Sequence, residues 1–123
     1  MAELPKLLYV DDEPINVMIF EANFKRNYQV ITAKSGLEGL EKLHLNAGIS
    51  IVISDMKMPE MNGLQFTIQA KMAFPDIYYF ILSGYEITEE ILDALKNNLI
   101  NKYFRKPFNM KEIEKTLKEA INL

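Results

Sequence analysis

The chain has 123 residues, 17 acids against 14 bases for a net charge of −3, 49% hydrophobic residues and no cysteine. That is enough apolar material for the core of one domain and too little length for a second, so residues 1–123 are read as a single domain. The acidic balance, with no dense run of Lys and Arg, argues against nucleic-acid binding by this chain alone, and the missing cysteines exclude a disulfide framework and a thiolate metal site.

The apolar run Leu7-Leu8-Tyr9-Val10 predicts a first strand and stops at Asp11-Asp12-Glu13. It is too short for the hydrophobic region of a signal peptide, and a cytoplasmic protein is expected. Pro14 to Arg26 predicts a first helix with two apolar stripes, Ile15, Met18, Ile19 and Ala22 on one and Val17, Phe20 and Phe24 on the other. One stripe must face a sheet; the other either docks a partner's helix or is ordinarily buried. Tyr28 to Thr32 predicts the second strand. Ser35-Gly-Leu-Glu38 then has the pattern of a capping box, opening a helix whose apolar face reads Leu37, Leu40, Leu43 and Ala47. His44, the single histidine, lies near the end of that helix and is read as a solvated surface residue.

Ile49 to Ile53 predicts the third strand, running into Asp55 and then a loop with Lys57, Pro59 and Gly63 that cannot be regular. An ionised acid at the tip of a buried strand is costly unless a partner or a cation meets it. The fourth strand, Ile77 to Leu82, ends in Ser83-Gly84 and is far below the roughly 18 residues a membrane helix needs. Thr88 with Glu89 and Glu90 opens a helix that puts Ile87, Ile91, Ala94 and Leu95 on one face. Asn97-Asn98 closes it, because Asn tolerates the left-handed conformation. Ile100 to Phe104 predicts the fifth strand, followed by Arg105-Lys106-Pro107 and a last helix with Ile113, Leu117 and Ile121 on its apolar face.

Strands alternating with helices imply an α/β protein, a parallel sheet covered on both faces through right-handed crossovers. In such a sheet the ligand crevice lies outside the carboxyl ends of the strands. Asp11, Asp12, Asp55, Ser83 and Lys106 all fall just past those ends. Two carboxylates about 5 Å apart repel by about 3 kcal/mol at an effective dielectric of about 20, so crowded acids either raise one another's pKa or bind a cation. An open, all-oxygen site suits Mg²⁺, which keeps several of its waters.

The paired acids Asp11-Asp12, the segment Asp55-Met-Lys-Met-Pro59-Glu-Met-Asn-Gly63, the pair Ser83-Gly84 and the triplet Lys106-Pro107-Phe108 resemble, in this order and over essentially the whole chain, the receiver domain of two-component response regulators. The resemblance implies a flavodoxin-like, doubly wound (βα)₅ fold with strand order 2-1-3-4-5, and a phosphoacceptor switch whose only chemistry is its own phosphorylation and dephosphorylation. Asp55 would take a phosphoryl group from a sensor histidine kinase or a histidine phosphotransfer protein. Asp12, Asp55 and the carbonyl of Lys57 would bind Mg²⁺, with Asp11 partly through water. Lys106 and Ser83 would each meet a phosphoryl oxygen, a cis bond would precede Pro107, and Ser83 and Tyr103 would carry the switch to the surface of the fourth helix, fifth strand and fifth helix. A downstream protein target is expected, dimerisation through the same elements is open, and no membrane contact is expected. The bulk of Tyr85, two residues after Ser83, would shade the phosphoryl group from water.

Two other functions compete. A haloacid-dehalogenase-like phosphatase also uses an aspartate nucleophile and Mg²⁺, but carries a second acid two residues later, where this chain has Lys57. A flavodoxin-like module for a phosphate-bearing cofactor wants a Gly- or Ser/Thr-rich loop after the first strand, where Asp11-Asp12-Glu13 would repel the anion. An end at Leu123 fits both a stand-alone regulator and a receiver cut from a longer protein.

Overall fold

The computed structural model describes residues 3–84, 87–107 and 109–121. Strands β1 (Lys6–Val10), β2 (Gln29–Ala33), β3 (Ile49–Asp55), β4 (Tyr78–Ser83) and β5 (Lys102–Arg105) alternate with helices α1 (Pro14–Phe24), α2 (Gly36–Leu45), α3 (Gly63–Ala73), α4 (Glu89–Lys96) and α5 (Met110–Ile121). All the pairings are parallel and the strand order is β2-β1-β3-β4-β5, the doubly wound (βα)₅ arrangement expected from the alternation and from the family resemblance.

The side chains of β1 explain why its run is continuously apolar. Leu7 and Tyr9 enter one core with Phe20, Phe24, Ile113 and Leu117, so α1 and α5 cover that face. Leu8 and Val10 enter the opposite core with Leu43, Phe66 and Ala70, so α2 and α3 cover the other. A third cluster of Leu64, Ile81, Ile91, Ala94 and Ile100 seats α4. Both faces are dry, and alternation with polar residues would have left one of them buried and unsatisfied. No helix among the described residues is long and apolar enough to cross a membrane.

Several boundaries move for identifiable reasons. β3 runs through Ser54 to Asp55 because both still pair with β4, opposite Ile81 and Leu82. β5 begins at Lys102 rather than Ile100: Asn98 takes φ 60°, and the N–H groups of Leu99 and Ile100 both donate to the Ala94 carbonyl, closing α4 instead of joining the sheet. The asparagine pair therefore acts as the helix stop anticipated from sequence. α1 ends at Phe24, two residues before Arg26, and the Tyr28 N–H donates back to the Phe24 carbonyl.

Of the two stripes on α1, Phe20 and Phe24 are buried with Val17 packed beside them, while Ile15, Met18 and Ile19 stay exposed. Of the face expected for α2, Leu43 is buried and Leu40 packs against the same core, but Leu37 is 63% exposed and Ala47 lies beyond the helix end. The inward positions are Gly36, Gly39 and Leu43. A Cβ on Gly36 would stand 2.6 Å from Met61 Sδ, and one on Gly39 2.8 Å from Phe66 Cε1, so the glycines let the α3 side approach and the inward face passes through them rather than through Leu37. Ser35 caps α2 as expected, its Oγ accepting from the Glu38 N–H at 3.1 Å. His44 is exposed, with its ring edge-on to Phe74.

The difference between Leu43 and Leu37 has a measurable consequence. Leu43→Ala is expected to cost about 2–5 kcal/mol in urea unfolding, and Leu37→Ala less than about 0.5 kcal/mol. Similar losses at the two positions would contradict the packing described.

Candidate functional site

The sheet register lines up the strand ends that carry the chemistry. Val10 is level with Ser54, Asp55 with Leu82, and Ser83 with Arg105. The ladder continues one step past each end: Asp11 N–H donates to the Ala33 carbonyl at 3.1 Å, Met56 N–H to Leu82 at 2.8 Å and Lys106 N–H to Ser83 at 2.9 Å. Asp11, Asp55 and Lys106 thus stand on backbone that is still pinned to the sheet.

Asp11, Asp12 and Asp55 each offer a carboxylate oxygen, and the three lie within 4.8 Å of one another. Asp11 is completely buried and Asp55 is 4% exposed, whereas Asp12 is half-buried. Lys106 Nζ meets Asp55 Oδ1 at 2.7 Å. Burial pushes the Asp55 carboxyl above its ordinary range; the bond from Lys106 pulls it back, and the charges of Asp11 and Asp12 push it further up. Desolvation dominates because the carboxylate loses water and regains only one ammonium.

Asp11 is held differently. Tyr9 Oη donates to its Oδ2 at 2.7 Å and the Glu13 N–H to its Oδ1 at 3.0 Å. Burial, followed by the negative charge of Asp11, raises the Tyr9 phenol well above its ordinary value, so it stays a donor. Neither Asp11 nor Asp12 caps the first helix: the N-cap of α1 is Glu13, with no side-chain cap bond.

The loop after Asp55 is irregular, as expected, and closes tightly. Glu60 takes φ 68°, Gly63 N–H donates to the Met56 carbonyl at 2.9 Å, and a Cβ on Gly63 would sit 2.4 Å from the Asp55 carbonyl oxygen. Asn62 and Gln65 then form a reciprocal capping box that starts α3.

Above the acids opens a cavity of about 640 Å³ lined by Asp12, Asp55, Lys57, Met58, Gly84 and Lys106 among others. Five of the expected site residues, Asp11, Asp12, Asp55, Lys57 and Lys106, are therefore gathered at one rim. Ser83 is buried at the end of β4, one residue past the partner of Asp55. The Lys106–Pro107 bond is cis, as the resemblance implied. Tyr103 is not at this rim: it is half-buried on β5, packed against the Ile81 and Ile91 cluster, and lines a separate concavity with Leu95 and Glu112. Tyr85 and Phe108 lie outside the described residues. Tyr9 is the residue that sequence reasoning missed. The available signal was its position, two residues before Asp11 on one strand and so on the same side of it.

The family model described as the response regulator receiver domain matches residues 7–118. The chain is 34% identical over 120 residues to the chemotaxis protein CheY1 of Helicobacter pylori, covering 94% of this chain and 96% of that protein. It is 33% identical over 120 residues to the sensor kinase CckA of Brucella abortus, again over 94% of this chain, but spans only 12% of the length of that kinase. The crystal structure of a response regulator receiver domain protein from Clostridium thermocellum superposes with a TM-score of 0.90 at 30% identity, covering 97% of this chain and 95% of that one.

Two outcomes follow from the geometry of Asp55. Its raised folded-state pKa means that its contribution to stability is fully present below the ordinary carboxylate range and is lost as pH rises through the raised value. Asp55→Asn is therefore expected to raise the melting temperature at neutral pH without divalent cations, the gain shrinking as the pH falls into the carboxylate range; melting below wild type at neutral pH would contradict it. Gly63→Ala drives a Cβ against the Asp55 carbonyl and is expected to cost about 1–3 kcal/mol in urea unfolding.

Proposed function

The chain belongs to the response regulator receiver domain family, and from that premise we propose that Asp55 accepts a phosphoryl group from a histidine kinase or a histidine phosphotransfer protein. Proteins of this family are signalling switches rather than metabolic enzymes. What supports the assignment to Asp55 is the state of its carboxylate: nearly buried at the floor of an open cavity, beside two further acids and 2.7 Å from a single ammonium.

Receiver domains typically use Mg²⁺, and the donor set here fits it. Three carboxylates bring oxygens within 4.8 Å of one another, and the cavity above leaves room for the waters this ion retains. Asp12, Asp55 and the Lys57 carbonyl would hold the ion, and Asp11 would reach it partly through water. Bound there, it would neutralise the acids and the charge on the phosphoryl oxygens.

An Asp55 oxygen attacks phosphorus, the bond from phosphorus to the donor's nitrogen breaks with its electron pair staying on the imidazole, and an acyl phosphate remains on Asp55. Lys106, already at Asp55 Oδ1, neutralises an equatorial oxygen of the transferring group. Ser83 donates its hydroxyl to another. Drawing Ser83 toward the phosphoryl group changes the space behind it, where Ile81, the partner of Tyr103, belongs to the same strand. A rotation of Tyr103 would then alter the surface of α4, β5 and α5, read by a downstream protein or by a second copy of the chain. Such a switch requires that the phosphoryl group bind one of the two states better. Residues 1–123 act together as this one phosphoacceptor domain. The phosphatase reading has no support from the site or the relatives.

Intact-mass measurement after incubation with acetyl phosphate is expected to show one added phosphoryl group in Mg²⁺ and none in excess chelator. Asp55→Asn is expected to take none under either condition, and Lys106→Gln to react about 100-fold more slowly. Unchanged uptake by Asp55→Asn would overturn the assignment.

A further inference from the structure

We propose that Tyr9 is a positioning residue for the Mg²⁺ site, its hydroxyl fixing the Asp11 carboxylate in the orientation that meets the water shell of the ion. The inference rests on the receiver reading above and assigns a role within that site to a residue of the core.

Packing alone gives no reason for a hydroxyl at this position. Tyr9 stands in a strand of otherwise aliphatic inward residues and is completely buried. A leucine or phenylalanine would fill such a core without a polar atom to satisfy. The phenol is nevertheless aimed along β1 at Asp11, two residues on and equally buried, with 2.7 Å between Oη and Oδ2. A hydroxyl donating to a carboxylate makes a charge-assisted bond, about twice as strong as one between neutral groups.

The second bond matters as much as the first. Oδ1 of the same carboxylate accepts the Glu13 N–H at 3.0 Å. One donor on each oxygen defines the carboxylate plane, and rotation about Cβ–Cγ would weaken both bonds together. A carboxylate offers about four lone-pair sites, so each oxygen retains one for a ligand's water. The tyrosine ring is itself fixed: it stacks on Phe20 with centroids 4.0 Å apart and planes at 3°, and Phe20 stacks in turn on Phe24 at 4.3 Å. The phenol is thus held by the α1 core and holds Asp11, which is the arrangement by which outer groups orient the ligands of a metal.

Tyr9→Phe removes only the hydroxyl and keeps the stack. Loss of such an orienting group typically weakens metal affinity by about 10- to 100-fold, and the lower end, about tenfold, is expected for an acid acting through water. Mg²⁺ titrations of the full chain by calorimetry would compare wild type, Tyr9→Phe, Asp11→Asn and the double variant. Tyr9→Phe is expected to bind about tenfold more weakly and to add nothing further in the Asp11→Asn background. In acetyl phosphate reactions the Mg²⁺ concentration for half-maximal rate is expected to rise in proportion, with the rate at saturating Mg²⁺ retained. In wild type, the labelled ring carbon bearing the Tyr9 hydroxyl is expected to shift on Mg²⁺ addition with the calorimetric dissociation constant, a readout that needs no substitution. Equal or tighter binding by Tyr9→Phe, an undiminished effect in the Asp11→Asn background, or an unmoved Tyr9 resonance would each overturn the inference while leaving the receiver reading intact. A wild-type chain that takes up no Mg²⁺ would overturn both.

Discussion

Three carboxylates within 4.8 Å of one another at the rim of a dry sheet are the constraint around which the molecule is organised. At that separation each pair of charges repels by about 3 kcal/mol at an effective dielectric of about 20, and burial adds a desolvation cost for Asp11 and Asp55. The protein meets the cost with a different partner for each buried acid. Asp55 has an ammonium, Asp11 a phenol and a backbone N–H. Asp12, the half-buried member, keeps access to water. A domain spends stability at such a site only where function requires it, and compensates elsewhere.

The compensation is visible in the backbone. Asp11, Asp55 and Lys106 each stand on the last residue of a strand or one residue beyond it, where the sheet's hydrogen-bond ladder still holds the main chain. Gly63 lets the loop after Asp55 fold back until the two main chains touch, and the Asn62–Gln65 box starts α3 at once. The cores on either face then fix the sheet as a unit, with β1 contributing alternate side chains to both. Rigid placement of this kind is what phosphoryl transfer asks of a protein, since the work is alignment and charge neutralisation.

Much of this was legible in the sequence because strand-end chemistry and strand periodicity are both local. The runs before Asp11, Asp55, Ser83 and Lys106 gave the strands, and the topology of a parallel sheet brought their ends together. The failures came where a contact that the periodic pattern does not encode decided the outcome. Leu37 lies on the helical stripe of α2 but is exposed, because Gly36 and Gly39 make room for Met61 and Phe66, which no local pattern announces. Ile100 has the composition of a strand, yet its N–H is taken by the closing turn of α4. Which stripe of α1 turns inward could not be read from apolarity, since both stripes are apolar; the ring stack of Tyr9 on Phe20 selects it. Tyr9 itself looked like one more core residue, and only the direction of its hydroxyl separates it from a phenylalanine.

The charge balance of the site also bears on why Asp55 is met by the ammonium of Lys106 while Asp11 is met by neutral donors. With all three acids ionised and Lys106 protonated, the cluster carries a formal charge of −2, while Glu13 and Lys57 at the rim carry opposite signs. A second buried ammonium would relieve more repulsion in the metal-free protein but would remove the excess charge that would draw in the proposed divalent cation. No ammonium at all would relieve too little, leaving Asp55 to be protonated or to unsettle the loop beneath it, and a protonated carboxyl is a poor nucleophile. A neutral donor such as the Tyr9 hydroxyl resolves the conflict at Asp11, because it satisfies a buried oxygen without cancelling its charge. On the proposed Mg²⁺ role, the mixture of one ammonium, one phenol and one backbone N–H would be a balance between a stable metal-free fold and the field needed to take up the ion.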